Sequence, residues 1–146
     1  MNGAPASKPG TPVRADDVLS LVKRERFVGR GGYKLEAALD FFGIEVAGRN
    51  CLDVGASTGG FTDCLLQRGA TRVVSIDVGR GQLHWKIRND ARVDSREGVN
   101  ARFLEPADFQ PAPTLAVGDV SFISLTMILP AVMRVLEPGG DLVFLI

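Results

Sequence analysis

Short apolar runs alternate with amphipathic stretches along most of this sequence. The apolar runs are rich in Val, Leu and Ile and predict five strands, at residues 50–54, 72–76, 92–95, 115–117 and 141–146. Segments with helical spacing separate most of them and predict helices at residues 61–68, 82–88 and 125–136. Most strands lack the alternation of a half-exposed sheet, which indicates burial on both faces. The predicted fold class is therefore α/β, with a doubly wound, mainly parallel sheet and helices on both faces.

The N-terminal third has a different pattern. Residues 1–13 are rich in Pro, Gly, Ala and Ser without periodicity and predict a disordered leader. Residues 15–26 predict a short polar helix, and residues 33–42 predict an amphipathic helix that ends at Gly43. We therefore expect one folded domain over residues 14–146.

Composition limits the classes of function. The chain has 146 residues, 45% of them hydrophobic, with 17 basic and 17 acidic side chains. No apolar run approaches the roughly 20 residues that cross a bilayer, and the N-terminus lacks the apolar centre of a signal peptide. Cys51 and Cys64 form neither a disulfide framework nor a metal-ligand cluster. We expect a cytoplasmic protein with reduced thiols, no metal and no membrane partner.

The zero net charge conceals an uneven distribution. Residues 1–34 carry seven basic and three acidic side chains, a net charge of +4, and the remainder carries ten and fourteen, a net charge of −4. A basic segment on an acidic body is typical of proteins that bind nucleic acid. A solvated helix face is the alternative interpretation of the same charges.

A glycine-rich segment lies where the first strand passes into a helix. It reads LDVGASTGGF over residues 52–61; Gly55 allows a tight turn, and Gly59 and Gly60 allow a ligand to approach the backbone. The spacing is neither the G-x-G-x-x-G of dinucleotide folds nor a phosphate-binding P-loop. NAD, FAD and ATP are therefore disfavoured.

Two aspartates follow later strands. Asp77 ends the second strand, where a carboxylate can accept hydrogen bonds from ribose hydroxyls, and Asp119 follows the fourth. Each could instead be a turn or capping residue. Ligands of open α/β sheets bind beyond the carboxyl ends of the strands, so both would face the glycine loop. A nucleoside without a pyrophosphate fits these features, and S-adenosylmethionine is the common one.

Four motifs in order carry a resemblance to a known family. They are RGGYKL at 30–35, LDVGASTGGF at 52–61, DVGRGQL at 77–83 and DVSFISL at 119–125. Over residues 15–146 the chain resembles the TlyA group of ribosomal RNA 2′-O-ribose methyltransferases, within the FtsJ/RrmJ-like methyltransferases. The resemblance implies a Rossmann-like fold, S-adenosyl-L-methionine as cofactor and ribosomal RNA as partner. Members of this group are often labelled hemolysins.

The resemblance and the loop pattern together assign candidate site residues. By motif match, Lys34 is the first lysine of the family's Lys-Asp-Lys-Glu tetrad and Asp119 is its aspartate. The expected cofactor-binding residues are Asp53, Gly55, Ser57, Thr58, Gly59, Gly60, Asp77, Val78, Glu97, Asn100 and Asp119. The expected RNA-binding residues are Arg24, Arg26, Arg30, Lys34, Arg80 and Lys86, with Arg88, Arg92 and Arg96 in the second basic cluster.

The sequence also departs from the family pattern. The family's second lysine follows the fifth strand, and the sequence ends at Ile146, one residue before that position. We expect an incomplete catalytic domain without the family's small S4-like RNA-binding domain. A catalytically inactive fragment that binds S-adenosylmethionine or RNA is the first alternative, and a pore-forming hemolysin is a second. Trp85, the only tryptophan, is expected to pack in the core or on a helix, with base stacking as the alternative.

Overall fold

The strands form one parallel sheet. The computed structural model describes residues 10, 12, 14–16, 24–121 and 123–146. Its strands are β1 (Asn50–Val54), β2 (Arg72–Asp77), β3 (Val93–Glu97), β4 (Leu115–Gly118) and β5 (Asp141–Phe144). Its helices are α1 (Gly31–Phe42), α2 (Gly60–Gln67), α3 (Trp85–Arg88) and α4 (Leu125–Val135). Two short 3-10 turns, Ala101–Phe103 and Pro106–Asp108, precede β4.

The strand order is β3-β2-β1-β4-β5, and every pairing is parallel. The chain moves outward from β1 to β3 and then crosses back to place β4 on the other side of β1. This reversal leaves a crevice beyond the carboxyl ends of β1 and β4, where ligands of such sheets bind.

Each face of the sheet packs against its own helices. On one face, Val73 and Leu115 join a cluster with Leu35 of α1 and Cys64 of α2. On the other face, strand residues such as Leu52 pack against apolar side chains of α4. Since β1, β2 and β4 are buried on both sides, their sequences are nearly continuous apolar runs. The predicted doubly wound α/β fold with helices on both faces is confirmed.

Element boundaries differ from the predictions by a few residues. The predicted helix over 82–88 is too long: α3 begins at Trp85, because His84 is extended and its Nδ1 accepts a hydrogen bond from the Lys86 amide. The last strand ends at Phe144 rather than at Ile146. Helix α1 ends as predicted, with Gly43 in the left-handed conformation at φ 64°.

Two N-terminal predictions lie largely outside the described residues. The predicted polar helix over 15–26 includes residues 17–23, which are outside them, and the described residues 24–26 are not helical. The predicted disordered leader over 1–13 has only residues 10 and 12 among those described.

Candidate active site

The glycine loop turns sharply at the carboxyl end of β1. The amides of Gly55 and Ala56 both donate to the Ile76 carbonyl, at 2.9 and 3.1 Å, which folds the loop towards β2. Gly55 has φ 77°, and a Cβ there would lie 2.9 Å from the Asp119 carbonyl oxygen. Both the conformation and the close approach of backbone therefore require glycine at this position.

The other end of the loop is equally restricted. Gly59 has φ 103° and precedes α2, and a Cβ on it would lie 2.8 Å from the Leu83 side chain. A Cβ on Gly60 would lie 2.9 Å from the Gly29 carbonyl oxygen. The glycines seen in the sequence therefore let three chain segments converge on the loop.

Asp77 joins this loop to the one that follows β2. Its Oδ2 accepts a hydrogen bond from the Ser57 amide at 2.7 Å, and its Oδ1 accepts one from the Gly79 amide at 2.8 Å. A carboxylate oxygen has two lone pairs, so each oxygen retains acceptor capacity for a ligand hydroxyl. The carboxylate is therefore held in place by backbone before any ligand arrives.

A cavity of about 590 Å³ opens above the loop. It brings together residues from α1, the glycine loop, the end of β2 and the segment after β4. The predicted site residues that line it are Lys34, Gly55, Ser57, Thr58, Gly60, Asp77, Val78 and Asp119. Of the two lysines that the structure describes, Lys34 and Lys86, only Lys34 lines this cavity.

An apolar slot of about 240 Å³ lies on the other side of Gly55 and Asp77. Its walls are mostly aliphatic, and the lining residues are Val54, Gly55, Ile76, Asp77, Val78, Val99, Asn100, Ala101, Val120, Ile123 and Ile128. Asn100 Oδ1 accepts a hydrogen bond from the Arg102 amide. Asp77 lines both spaces, so one molecule with a flat apolar part and a hydroxylated part can occupy the slot and the cavity together.

Sequence reasoning missed most of the slot. Val99, Val120 and Ile123 come from two loops, and no motif connects them. The available signal was that Val99 and Val120 each lie two residues after the end of a strand, β3 and β4 respectively.

Asp53 lies beneath the loop and does not line the cavity. It is 1% exposed, and its Oδ2 accepts a hydrogen bond from the Thr62 hydroxyl at 2.6 Å. Thr62 Oγ1 is also 2.7 Å from the Ser75 hydroxyl. Asp53 Oδ1 has no hydrogen-bond partner among the described residues. Burial, with smaller repulsion from Asp77 and Asp119, raises the pKa of Asp53 to about 7 against the opposing effect of the Thr62 hydrogen bond.

Glu97 lies beside the cavity, where it lines a small space together with Ser57 and Asp77. Its carboxylate accepts hydrogen bonds from the Gly81 amide and from the Arg88 guanidinium, each at 3.1 Å. It lines neither the cavity nor the apolar slot. Its contacts restrain the loop that follows Asp77.

Several of the basic side chains that were predicted to bind RNA form ion pairs with carboxylates in the structure. Ion pairs with carboxylates are formed by Arg26 with Glu36, Arg88 with Glu97, Arg92 with Asp90 and Arg96 with Asp94. Arg24, Arg30, Lys34, Arg80 and Lys86 are exposed and form no ion pair with a carboxylate in the described part of the chain. Among the residues predicted to bind RNA, these five side chains are the cations available to a polyanion.

Trp85 differs from its expected role. Core or helix packing was expected, but the side chain is 70% exposed and stacks with His84 at 5.7 Å between ring centroids. The expectation is wrong because α3 is a single short turn and directs Ile87, rather than Trp85, into the core. Cys64 is buried in α2, and both cysteines are free.

The described residues contain neither a candidate metal site nor a membrane-spanning helix. No group of three or more His, Cys, Asp or Glu side chains in this part of the chain could hold a metal ion. None of the helices seen there has the length and hydropathy to cross a membrane.

Comparison with known proteins gives consistent matches. The profile of the FtsJ-like methyltransferases matches residues 27–143. The 16S/23S rRNA (cytidine-2'-O)-methyltransferase TlyA of Mycobacterium tuberculosis is 49% identical over 148 aligned positions, which cover 100% of this chain and 55% of that protein. The chain thus spans about half the length of the curated relatives it matches.

Solved structures give the same result for the fold. A candidate hemolysin from Streptococcus thermophilus is 51% identical and superposes with a TM-score of 0.80, over 84% of this chain and 45% of that one. A SAM-dependent methyltransferase from Thiobacillus denitrificans in complex with S-adenosyl-L-homocysteine is 19% identical, with a TM-score of 0.59 over 82% of this chain and 49% of that one. The second likeness concerns the fold alone, and it identifies the Rossmann-like fold of methyltransferases.

Proposed function

Since the chain belongs to the FtsJ-like methyltransferase family, we propose that it carries the cofactor-binding core of an enzyme that methylates a ribose 2′-hydroxyl of ribosomal RNA. S-adenosyl-L-methionine is the methyl donor of the proposed reaction. The observation that carries the proposal is the single cavity in which Lys34, Asp77 and Asp119 meet the glycine loop. The chain covers 55% of a relative that is named as a cytidine-2′-O methyltransferase of rRNA.

The residues present fit this cofactor. The Asp77 carboxylate is fixed by two amides and can accept hydrogen bonds from the ribose hydroxyls. The apolar slot beside it suits a purine ring, and Asn100 supplies an amide donor at its wall. Asp77 and Asp119 place negative charge near a ligand that carries a sulfonium. Gly55 and Gly60 keep the cavity free of side-chain atoms where the backbone lines it.

The chemistry of the proposed reaction assigns roles to two side chains. When bound, S-adenosylmethionine supplies a methyl group that the positively charged sulfur of the cofactor activates for in-line displacement. The Lys34 ammonium would stabilise negative charge that develops on the attacking ribose oxygen as the hydroxyl proton passes to solvent, and Asp119 would orient that ammonium. Both line the same cavity, Lys34 from α1 and Asp119 from the segment after β4. A positioned donor that stabilises developing charge in this way contributes roughly 10²–10³-fold to a rate.

The exposed cations support an RNA substrate. Phosphate contacts from such side chains provide affinity that falls with salt and carries little sequence information. Arg30 and Lys34 lie at the start of α1, next to the cavity, and are therefore suited to hold the backbone of the acceptor strand. A reaction on ribosomal RNA places the proposed activity in the cytoplasm.

Two measurements test the proposal. Calorimetry should detect binding of S-adenosylmethionine to the chain, and incubation with ribosomal RNA should yield 2′-O-methylated nucleosides, identified by mass spectrometry after digestion. Lys34→Ala should reduce the transfer rate roughly 100-fold or more while cofactor affinity changes only a few-fold. Absence of cofactor binding, or methylation of a base, would contradict the proposal. Cofactor binding without transfer would favour the alternative of a catalytically inactive module.

A further inference from the structure

The indole of Trp85 is an unusual surface feature of this molecule. It is 70% exposed, and its ring stacks with the His84 imidazole at an interplanar angle of 29°. His84 is itself fixed, because its Nδ1 accepts a hydrogen bond from the Lys86 amide at 3.1 Å. Trp85 is therefore a large aromatic surface on a rigid support.

This aromatic pair is joined directly to the glycine loop. The His84 amide donates to the Thr58 carbonyl at 2.9 Å, and Thr58 lines the cavity. Ile87, two residues after Trp85, packs against Gly59, where a Cβ would lie 3.3 Å from its side chain. Gln82, three residues before Trp85, also lines the cavity. Residues before and after Trp85 in the sequence thus contact the glycine loop or line the cavity, and they hold the indole beside the proposed active site.

Three other large aromatic side chains are exposed in the described part of the chain. Phe103 is 67% exposed, but the Arg102 guanidinium already lies over its ring, 5.7 Å from the centroid, and Phe103 lines neither the cavity nor the apolar slot. Phe41 and Phe42 are 83% and 66% exposed, at the end of α1 that is remote from Lys34. Trp85 is instead followed by Lys86, which is exposed and forms no ion pair with a described carboxylate. A flat aromatic ring next to an available cation matches a nucleotide, since the ring can stack on the base and the ammonium can contact a phosphate.

We propose that Trp85, supported by His84, is a stacking platform for a base of the acceptor RNA and positions that strand for the proposed transfer. This inference rests on the proposed function and adds a positioning residue to it. Single-stranded segments are the form of RNA whose bases are free to stack on aromatic side chains. The platform would therefore favour an acceptor nucleotide in a loop, a bulge or an opened helix.

The sequence provides a direct probe, because Trp85 is the only tryptophan. Its fluorescence should be quenched when the chain is titrated with a short unstructured RNA oligonucleotide in the presence of S-adenosylmethionine. The same oligonucleotide with an abasic site, moved one position at a time, should lose the quenching at one position. No quenching by the intact RNA, or equal quenching by every abasic form, would overturn the proposal.

Variants separate stacking from a general structural effect. By anisotropy of labelled RNA, Trp85→Ala should weaken binding by roughly 5- to 150-fold, which corresponds to about 1–3 kcal/mol, and Trp85→Phe should restore most of the affinity. Phe41→Ala, which removes an exposed aromatic side chain at the far end of α1, is the matched control and should bind RNA like the wild type. Equal affinities for wild type and Trp85→Ala would overturn the proposal.

Cofactor calorimetry distinguishes failure of this inference from failure of the proposed function. Trp85→Ala should bind S-adenosylmethionine like the wild type, because the indole lines neither the cavity nor the apolar slot. If the wild type transfers methyl groups to RNA but Trp85→Ala does so with unchanged KM and kcat, the platform is refuted and the proposed function stands. If the wild type binds no cofactor, the proposed function fails and this inference fails with it.

Discussion

Replacement of the buried Asp53 by asparagine should change how stability depends on pH. The folded chain holds this carboxyl at a pKa of about 7, chiefly because burial disfavours its charged form, whereas the ordinary value is 3.8. Between these two pH values the folded chain binds a proton that the unfolded chain has released. The contribution of Asp53 to stability is therefore complete below pH 3.8 and is lost as the pH rises through 7.

The size of the effect follows from linkage. Over this window the free energy of unfolding falls by about 1.4 kcal/mol per pH unit for one group, so about 4 kcal/mol is lost in total. Asparagine is similar in shape and always neutral, and it cannot contribute this slope. The difference in unfolding free energy, Asp53→Asn minus wild type, should therefore rise by about 4 kcal/mol between pH 4 and pH 8.

Urea unfolding at a series of pH values, followed by circular dichroism, measures this difference. Titration of groups that do not interact with Asp53 cancels in the comparison, and so does any constant cost of the amide. Thr62→Val offers a second comparison, because it removes the hydroxyl that donates to Asp53 at 2.6 Å and lowers its pKa. In that variant the fall in stability should extend to higher pH. A difference between wild type and Asp53→Asn that stays constant from pH 4 to pH 8 would refute the reasoning.

Three further predictions use the same site. Asp77→Ala should weaken S-adenosylmethionine binding roughly 10- to 100-fold in calorimetry, since hydrogen bonds to a charged group are lost, while Glu137→Ala should have no effect. Gly55→Ala should destabilise the chain by about 1–3 kcal/mol more than Gly43→Ala in urea unfolding, because both positions have positive φ but only a Cβ at Gly55 meets other atoms within 4 Å. Binding of the cationic cofactor near pH 7 should release protons from the wild type and fewer protons from Asp53→Asn. Calorimetry in buffers of different ionisation enthalpy measures the number released. Equal release by both proteins would contradict a coupling between cofactor binding and ionisation of Asp53.

The sheet could be predicted because its strands are buried on both faces. Residues such as Val74 and Ala116 face α4 while their neighbours along the strand face α2, so the apolar runs are continuous. The glycine loop and Asp77 could be predicted for a related reason. They occupy the ends of adjacent parallel strands, and the carboxyl ends of such strands meet at one edge of the sheet.

The parts that could not be predicted depend on contacts between distant segments. The apolar slot combines Val99 with Ile123, which belong to loops after different strands. The pairing of Arg26 with Glu36 removes a cation that composition alone counts as available. Trp85 was expected to be packed, because the sequence does not reveal that α3 is one turn long and points Ile87 inward.

The buried carboxyl of Asp53 interacts electrostatically with the carboxylates that line the cavity. Asp53 lies under the cavity, and the carboxylates of Asp77 and Asp119 add to the burial effect that raises its pKa. A cation in the cavity opposes that repulsion, so it favours the ionised form of Asp53. The free energy that the folded chain loses by burying this carboxyl is therefore partly recovered when a positively charged ligand binds. By the same linkage, affinity for such a ligand should increase as the pH rises towards the pKa of about 7. The affinity for a neutral ligand of the same shape would not depend on pH in this way. The difference between the two ligands arises because three carboxylates lie close together at the ends of β1, β2 and β4.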